Sequence, residues 1–447
     1  MEIKNMENKD IDKVVGNKIN IGLFGFGTVG GSFYRILDIR KKEIEAMLSA
    51  DVTIKKIFTR GNRNPSIDNI GNLMVNNADD ILNDKSINVI VELMGGINPA
   101  KEYIEKAIKN GKSVITANKA LLAEHGEEIF KLCKKHNVHI GFEAAVGGGI
   151  PILRSIKNGL AGDSITSVFS IINGTSNYIL SKMTNEGGKF DDILKKAQEK
   201  GYAEADPSFD INGIDSAHKL VILGRLAFAA SISLKDVMIE GIKGVSDIDI
   251  CFARDLGYKI KLLGILKNDD SKIEIRVHPT LIPSGSLLSN VDGVFNAFFL
   301  NAKFAGPISL TGYGAGGMAT ASAVMGDFIE IAGKIINSEK HHDIFLNESS
   351  NKVQIKRKKD IISRYYLRFS AMDRPGVLAK ISKILGDNSI SISSMIQQGR
   401  KIDGSVPIVI TTHEANEEEL LKSIELCDKL DIILAKTMIL RIEDNVN

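Results

Sequence analysis

The chain has 447 residues, 43% of them hydrophobic and 25% charged, with 57 basic side chains against 55 acidic ones. That length accommodates two to four domains, and a net charge of +2 argues against nucleic acid or an anionic membrane surface as a partner. Cys133, Cys251 and Cys427 are too few and too scattered for a disulfide framework or a metal cluster, so a reduced, cytoplasmic protein is expected.

Residues 1–18 are polar, lack the apolar core of a signal peptide, and read as a loose N-terminal extension. No apolar run reaches the roughly 18 residues of a membrane span. The longest candidate, 220–234, is interrupted by Arg225. A buried strand at 19–24 leads into Gly25-Phe26-Gly27-Thr28-Val29-Gly30 and a helix to about residue 48. Strand-like runs follow at 52–58, 89–93, 113–116 and 138–142, with helical patterns such as 100–109 and 127–135 between them. This alternation predicts an α/β fold with a Rossmann-type, doubly wound parallel sheet over 19–150.

The G-x-G-x-x-G run opens a helix directly after a strand, which is the setting that dinucleotide binding needs. Gly25 permits the tight turn, Gly27 lets a pyrophosphate approach, and Gly30 allows close helix packing. The helix start at Phe26, Thr28 and Val29 offers N–H groups to phosphates. The end of the second strand reads Phe58-Thr59-Arg60-Gly61-Asn62-Arg63, with no acidic residue for a ribose 2′-hydroxyl. Arg60 can stack on adenine and pair with a 2′-phosphate, which favours NADP over NAD; the alternative is an exposed loop arginine. Thr116-Ala117-Asn118-Lys119 follows a strand, where ligands of open α/β sheets sit. Lys119 either faces the nicotinamide end or substrate, or is a surface lysine starting a helix. Glu143 to Pro151 combines a carboxylate with glycines that turn carbonyls inward, a set suited to a hard cation or equally to a hinge.

From 151 to about 305 the pattern becomes that of a second, α+β domain, with strands at 167–173 and 272–279. Within it, residues 201–216 set four carboxylates, Glu204, Asp206, Asp210 and Asp215, around a turn that runs into a helix. Asp215 and Lys219 are four apart and share a face. They read either as an acid/base couple beside apolar surface or as a solvated ion pair. A second glycine-rich loop at 307–317 and an apolar helix to about 336 form a return segment, 306–340. Residues 341–362, with the basic run 356–359, read as a plain linker. Residues 363–447 follow the order β-α-β-β-α-β of a ferredoxin-like sandwich.

Taken together, Thr116 to Lys119, Glu143 to Pro151, Asn173-Gly174-Thr175-Ser176-Asn177-Tyr178 and Gly201 to Lys219 resemble successive motifs of homoserine dehydrogenase, covering about 19–340. Asp373-Arg374-Pro375-Gly376-Val377-Leu378 resembles the opening of an ACT domain. No kinase-like segment precedes residue 19, so the monofunctional bacterial type is expected. The resemblance implies reversible hydride transfer between NAD(P)H and L-aspartate 4-semialdehyde, giving L-homoserine for threonine, methionine and isoleucine biosynthesis. It implies Lys219 as the acid/base lysine, Asp215 as its holder, and Glu204 as the carboxylate near the substrate ammonium. Asp210, Tyr202, Gly174 and Thr175 would line the same pocket, with Lys119 as a second lysine near the reacting centre. Glu143, Val146, Gly148 and Ile150 would hold a sodium ion, and Gly312 would touch the cofactor from its far side. His218 has no role in the family pattern and reads as a packing or surface residue. A substrate-binding and dimerisation domain at 151–305, a homodimer or homotetramer, and a threonine effector at the ACT domain complete the expectation. Two other readings stay open at this point: a Rossmann dehydrogenase for another amino-acid aldehyde or keto acid, and a catalytically silent amino-acid sensor. The tail, likewise, either carries feedback control or only dimerises the enzyme.

Overall fold

The computed structural model describes residues 17–60, 70–269, 272–340, 354–397 and 405–446. They belong to two compact units. The first comprises Met1–Gly149 and Ala315–Ile344. Its six strands are all parallel, in the order Met74–Val75, Ala50–Phe58, Asn17–Phe24, Val89–Glu92, Ser113–Thr116, Ile140–Gly141. The order reverses between Asn17–Phe24 and Val89–Glu92, the switch point at which such sheets open a crevice at their carboxyl ends. Ile21, Leu23, Val89, Val91, Val114 and Ile115 are fully buried. Helices cover both faces of the sheet, so its strands are continuous apolar runs instead of alternating ones. One face packs on the helices Thr28–Leu48 and Gly317–Ile336, where Phe33 meets Phe328 edge-on at 6.3 Å. The other packs on Ala100–Lys109 and Lys119–His136 through Ile104, Ile108, Leu121 and Ile129.

The second unit comprises Ile150–Gly314 and Phe345–Asn447. It is organised by one mixed sheet of 12 strands. The main path runs Gly306–Tyr313, Phe295–Ala302, Ile165–Ile171, Tyr258–Asn268, Lys272–Pro283, Ile433–Ile442, Ile362–Met372, Ser405–Thr412, Ile392–Gln397. Helices Gly174–Glu186 and Ile214–Phe228 lie against Tyr258–Asn268. The C-terminal part keeps the β-α-β-β-α-β order, with helices Val377–Asp387 and Glu417–Asp428 over their own apolar core. Its last strand runs parallel to Lys272–Pro283, Thr280 beside Arg441 and Leu281 beside Ile442, so one sheet continues from the middle of the chain into its tail.

Several elements differ from the sequence expectation. The strands Tyr258–Asn268 and Phe295–Ala302 were not anticipated. The glycine-rich loop expected at 307–317 is mostly a strand, Gly306–Tyr313, paired along its whole length with Phe295–Ala302. Ile308 and Leu310 turn inward while Pro307, Ser309, Thr311 and Tyr313 face out, the period of an edge strand, which tolerates proline and glycine. The basic run at 356–359 is not a plain linker. Gln354–Ile355 pairs with Lys272 and Ile273, and Lys356 Nζ lies 2.9 Å from Asp269 Oδ2, just past the strand Tyr258–Asn268, and 3.6 Å from Glu274 of the neighbouring strand. Asn17 and Lys18 already pair with Ala50 and Asp51; the rest of the expected extension, and residues 341–353, lie outside the described residues.

Candidate active site

At the switch point Gly25 has φ of +92°, and a Cβ there would lie 2.6 Å from the Leu93 carbonyl oxygen. A Cβ on Gly30 would lie 2.1 Å from the Gly25 oxygen, whereas one on Gly27 would meet nothing within 4 Å. Packing therefore demands glycine at the outer two positions, and the middle one leaves open space before the helix Thr28–Leu48. That helix has neither a side-chain cap nor an acidic first turn, which suits an incoming phosphate. Arg60 stands exposed, two residues beyond the strand Ala50–Phe58. Gly61, Asn62 and Arg63 lie outside the described residues.

Beside this turn the strand end 116–119, expected where ligands sit, joins a network whose members Glu92, Thr116 and Asn118 were given no individual role. Glu92, buried at the carboxyl end of Val89–Glu92, accepts from the Met94 N–H at 2.7 Å and from the Thr116 hydroxyl at 2.6 Å. Thr116 Oγ1 accepts from the Asn118 N–H at 3.0 Å. Asn118 donates to the Gly96 carbonyl at 2.5 Å and caps the next helix by accepting from Leu121 N–H at 3.1 Å. Burial pushes the Glu92 carboxyl up, and its hydrogen-bond donors partly oppose that. Half-buried Lys119 is the first residue of the helix so started. At the end of this unit the Glu143 N–H donates to Asp327 Oδ2 at 2.8 Å, Glu143 and Val146 are buried, and Gly147 and Gly148 turn the chain with φ of +76° and +57°. Ile150 begins the second unit. No group of three His, Cys, Asp or Glu among the described residues could hold a metal ion; a site built from carbonyls needs no such group.

In the second unit the helix Ile214–Phe228 carries Asp215 and Lys219 on its buried side. Lys219 Nζ donates to Asp215 Oδ2 at 2.7 Å and to the Ile172 carbonyl at 2.7 Å. Asp215 is 2% exposed and Lys219 8%, which rules out the solvated pair. Asn173 Nδ2 bridges Asp210 Oδ1 at 2.7 Å and Asp215 Oδ2 at 2.9 Å, while its Oδ1 caps the helix Gly174–Glu186 at Ser176 N–H. Asn173 was missed as a site residue, although an asparagine just ahead of Gly-Thr-Ser is an N-cap signal. The Ser176 hydroxyl donates to the Asp210 carbonyl at 3.0 Å. A Cβ on Gly174 would lie 2.8 Å from the Val294 oxygen. The Thr175 hydroxyl donates to the Tyr202 carbonyl at 2.6 Å, and the exposed Tyr202 ring lies 5.0 Å from that of Tyr178.

Asp210, Asp215 and Lys219 are thus joined through Asn173, with Gly174 and Thr175 on the adjoining helix start and Tyr202 on the loop that Thr175 reaches. Glu204 lies exposed on the preceding loop, which Gln198 braces by donating to the Glu204 carbonyl at 3.1 Å. Gly312 sits in the edge strand, where a Cβ would come within 3.1 Å of Ile150. His218 is buried and edge-on to Phe209 at 5.3 Å, which excludes the surface reading. Chemically, an ammonium clamped between a carboxylate and a carbonyl is a proton donor of fixed position.

Residues 25–143 match the family model described as homoserine dehydrogenase, NAD binding domain; 151–329 match that of homoserine dehydrogenase, and 365–425 that of the ACT domain. The homoserine dehydrogenase of Neisseria gonorrhoeae is 42% identical over 428 residues, covering 95% of this chain and 98% of that one. That of Pseudomonas aeruginosa is 39% identical, covering 95% and 99%. Among solved structures, a homoserine dehydrogenase from Thiobacillus denitrificans matches with a TM-score of 0.90 at 41% identity, covering 96% of this chain and 99% of that one.

Proposed function

This chain belongs to the homoserine dehydrogenase family, and on that premise we propose which of its residues carry the reaction. It is a nicotinamide-dependent oxidoreductase with a C-terminal ACT domain, and the family's reaction interconverts L-aspartate 4-semialdehyde and L-homoserine.

The observation that carries the assignment is the buried chain Asn173–Asp215–Lys219. When bound, the reduced nicotinamide supplies the hydride that goes to the aldehyde carbon. The carbonyl oxygen then gains negative charge, and Lys219 Nζ gives it a proton. Asp215 holds the ammonium in place, and Asn173 fixes Asp215 and Asp210 together. Glu204, on the exposed loop, takes the substrate ammonium, with Asp210, Tyr202, Gly174 and Thr175 around it. Lys119 serves as the second lysine near the reacting centre. Gly25, Phe26, Gly27, Thr28, Val29 and Gly30 receive the pyrophosphate, Gly312 meets the cofactor from its far side, and Arg60 selects NADP by pairing with the 2′-phosphate. Glu143 and the carbonyls of Val146, Gly148 and Ile150 would hold a sodium ion; a buried carboxylate beside two left-handed glycines fits such a ligand set. Its contribution would be to stiffen the segment that joins the two units.

We divide the chain into a nucleotide domain (19–150), a substrate and dimerisation domain (151–305, extended to Tyr313 by its edge strand), the returning helix, the connecting segment 341–362, of which 354–360 dock on the mixed sheet, and the ACT domain (363–447). Supply of threonine, methionine and isoleucine, feedback by threonine at the ACT domain, a homodimer or homotetramer and a cytoplasmic location follow from the same reading. Among the described residues no helix is long and apolar enough to cross a membrane.

Lys219→Ala tests the central assignment. kcat should fall by about 10²- to 10⁴-fold, the range of a general acid, with the fold retained. A well-folded variant within about threefold of wild type sinks it. Arg60→Asp tests the cofactor choice. The ratio of kcat/KM for NADPH over NADH should drop by about tenfold or more, as loss of a charge-assisted phosphate contact implies. A wild-type preference for NADH, or an unmoved ratio, overturns it.

A further inference from the structure

The C-terminal domain reaches the segment beside the substrate turn through a buried arginine. Arg441, on the strand Ile433–Ile442, is 1% exposed. Its Nη1 and Nη2 donate to Glu240 Oε2 and Oε1 at 2.7 and 2.9 Å, a two-pronged pair, while Nε donates to Glu417 Oε2 at 3.0 Å. Glu417 begins the helix Glu417–Asp428 and also accepts from the Tyr365 hydroxyl at 2.6 Å, so Arg441 is anchored within the C-terminal domain.

Glu240 lies at the end of the short strand Met238–Ile239, whose partner is Lys272–Pro283. Its N–H donates to the Val277 carbonyl at 2.7 Å. The next residue, Gly241, lies flat against the substrate turn: a Cβ on it would stand 2.3 Å from the Ile211 oxygen and 2.6 Å from Asn212 Cα. Ile242 N–H then donates to the same Ile211 carbonyl at 2.8 Å. Ile211 and Asn212 join Asp210 to Gly213, and the helix bearing Asp215 and Lys219 starts at Ile214. The backbone of 240–242 is thus a floor under the turn that sets the Asp210–Asn173–Asp215 bridge, and Arg441 grips that floor from the other side.

We infer that Glu240 and Arg441 are positioning residues for the reduction, with the Arg441 fork holding residues 240–242 against the Ile211–Asn212 turn, so that the C-terminal strand sets where Asp210 and Asp215 stand. This rests on the proposed role of Asp215 and Lys219. The link lies wholly inside the second unit and touches no cofactor residue. A shift of the strand Ile433–Ile442 is therefore felt by the substrate, not by the nucleotide.

The test uses the full-length enzyme and steady-state kinetics with L-aspartate 4-semialdehyde and NADPH, alongside thermal melting. Glu240→Ala and Arg441→Lys should each lower kcat/KM for the aldehyde by roughly 3- to 30-fold, the range of coupling through a packed contact, with the KM for NADPH within about twofold. Combining them should add little to either alone, since both remove one fork. Glu240→Gln, which keeps the acceptor shape, should recover part of the loss. Gly241→Ala, which pushes the same turn without altering charge, should reproduce the aldehyde-specific signature. If Glu240→Ala and Gly241→Ala fold yet leave the aldehyde kinetics within about twofold of wild type while Lys219→Ala is inactive, the inference is overturned and the active-site assignment stands. If the effects fall equally on aldehyde and NADPH, or track only a lower melting temperature, the pair is a structural tie and the inference is likewise overturned. If Lys219→Ala is itself fully active, the site assignment fails and the inference with it.

Discussion

Among the described strand residues of the parallel sheet, Glu92 is the only buried carboxylate; in the mixed sheet Lys261, Glu274, Arg276, His278 and Arg441 are all buried, as is Glu443 just past its strand Ile433–Ile442. Arg276 Nη2 lies 2.6 Å from Glu443 and 2.6 Å from Glu274, Lys267 Nζ lies 2.8 Å from Glu443, and Arg368 pairs with Asp249 at 2.6 Å. On the proposed assignment of site residues, the two sheets meet different ligands. A dinucleotide brings its own charges, so the first unit offers backbone N–H groups, glycine clearances and apolar strands. The second unit must hold a small polar substrate and join two domains across one sheet, and it does both with paired side-chain charges. Such pairs, once buried, are costly to break singly, because removing one partner strands the other.

The sharpest way to break this contrast is to remove one buried charge and one buried methyl group. Arg276→Met leaves Glu274 and Glu443 buried with only the partly exposed Lys267 and Lys356 as partners and should lower the unfolding free energy in urea by about 3 kcal/mol. Ile115→Val in the parallel sheet should cost about 0.5–1.5 kcal/mol. If the two cost the same, the buried charges are not what holds the second sheet.

The glycine turn gives a second test. Gly27→Ala meets no neighbour within 4 Å, so the melting temperature should hold while the Kd for NADPH, read by fluorescence titration, rises about tenfold or more. Gly30→Ala drives a methyl toward the Gly25 oxygen and should instead lower the melting temperature. Similar effects of both changes on stability alone would show that the turn is structural and not a phosphate seat.

The smallest expected effect concerns pH. His278 is fully buried, and burial, followed by the positive charges of Arg441 and Arg276, holds its pKa well below the ordinary value. The unfolded chain takes up the proton near pH 6.5 while the folded one does not. Its contribution is therefore present above that pH and lost as pH falls, at up to about 1.4 kcal/mol per pH unit. Urea unfolding of wild type and His278→Gln at pH 7.5 and 5.5 should show the shallower pH dependence in the variant. Equal slopes would mean that the folded protein protonates His278 without cost.

The contrast also explains what could be read in advance. Glycine spacing after a strand, and alternating strand and helix signals, are local patterns, so the nucleotide fold and its turn were legible. The i,i+4 spacing of Asp215 and Lys219 was legible too, but the same spacing describes the exposed pair Lys429 and Glu425. Only burial separates the two. Asn173 stood in the sequence as the end of an expected strand and in a family motif; that it caps the next helix and bridges two carboxylates 37 and 42 residues away came only from the structure. The strand Gly306–Tyr313 was hidden by its proline and glycines, which an edge strand accepts and a central strand does not.

By itself, the amino-acid sequence determined the strand–helix alternation of the nucleotide domain, the glycine turn after its first strand and the ferredoxin-like tail, because each depends on neighbours within a few turns of chain. Tertiary structure alone decided that Lys219 is buried beside Asp215, that one sheet continues from the substrate domain into the tail, and that residues 354–360 dock instead of linking. Those outcomes depend on pairings between segments distant in the chain, such as Lys219 with Ile172, Lys272 with Gln354 and Thr280 with Arg441, whose free energy comes from desolvation and register that no local pattern encodes.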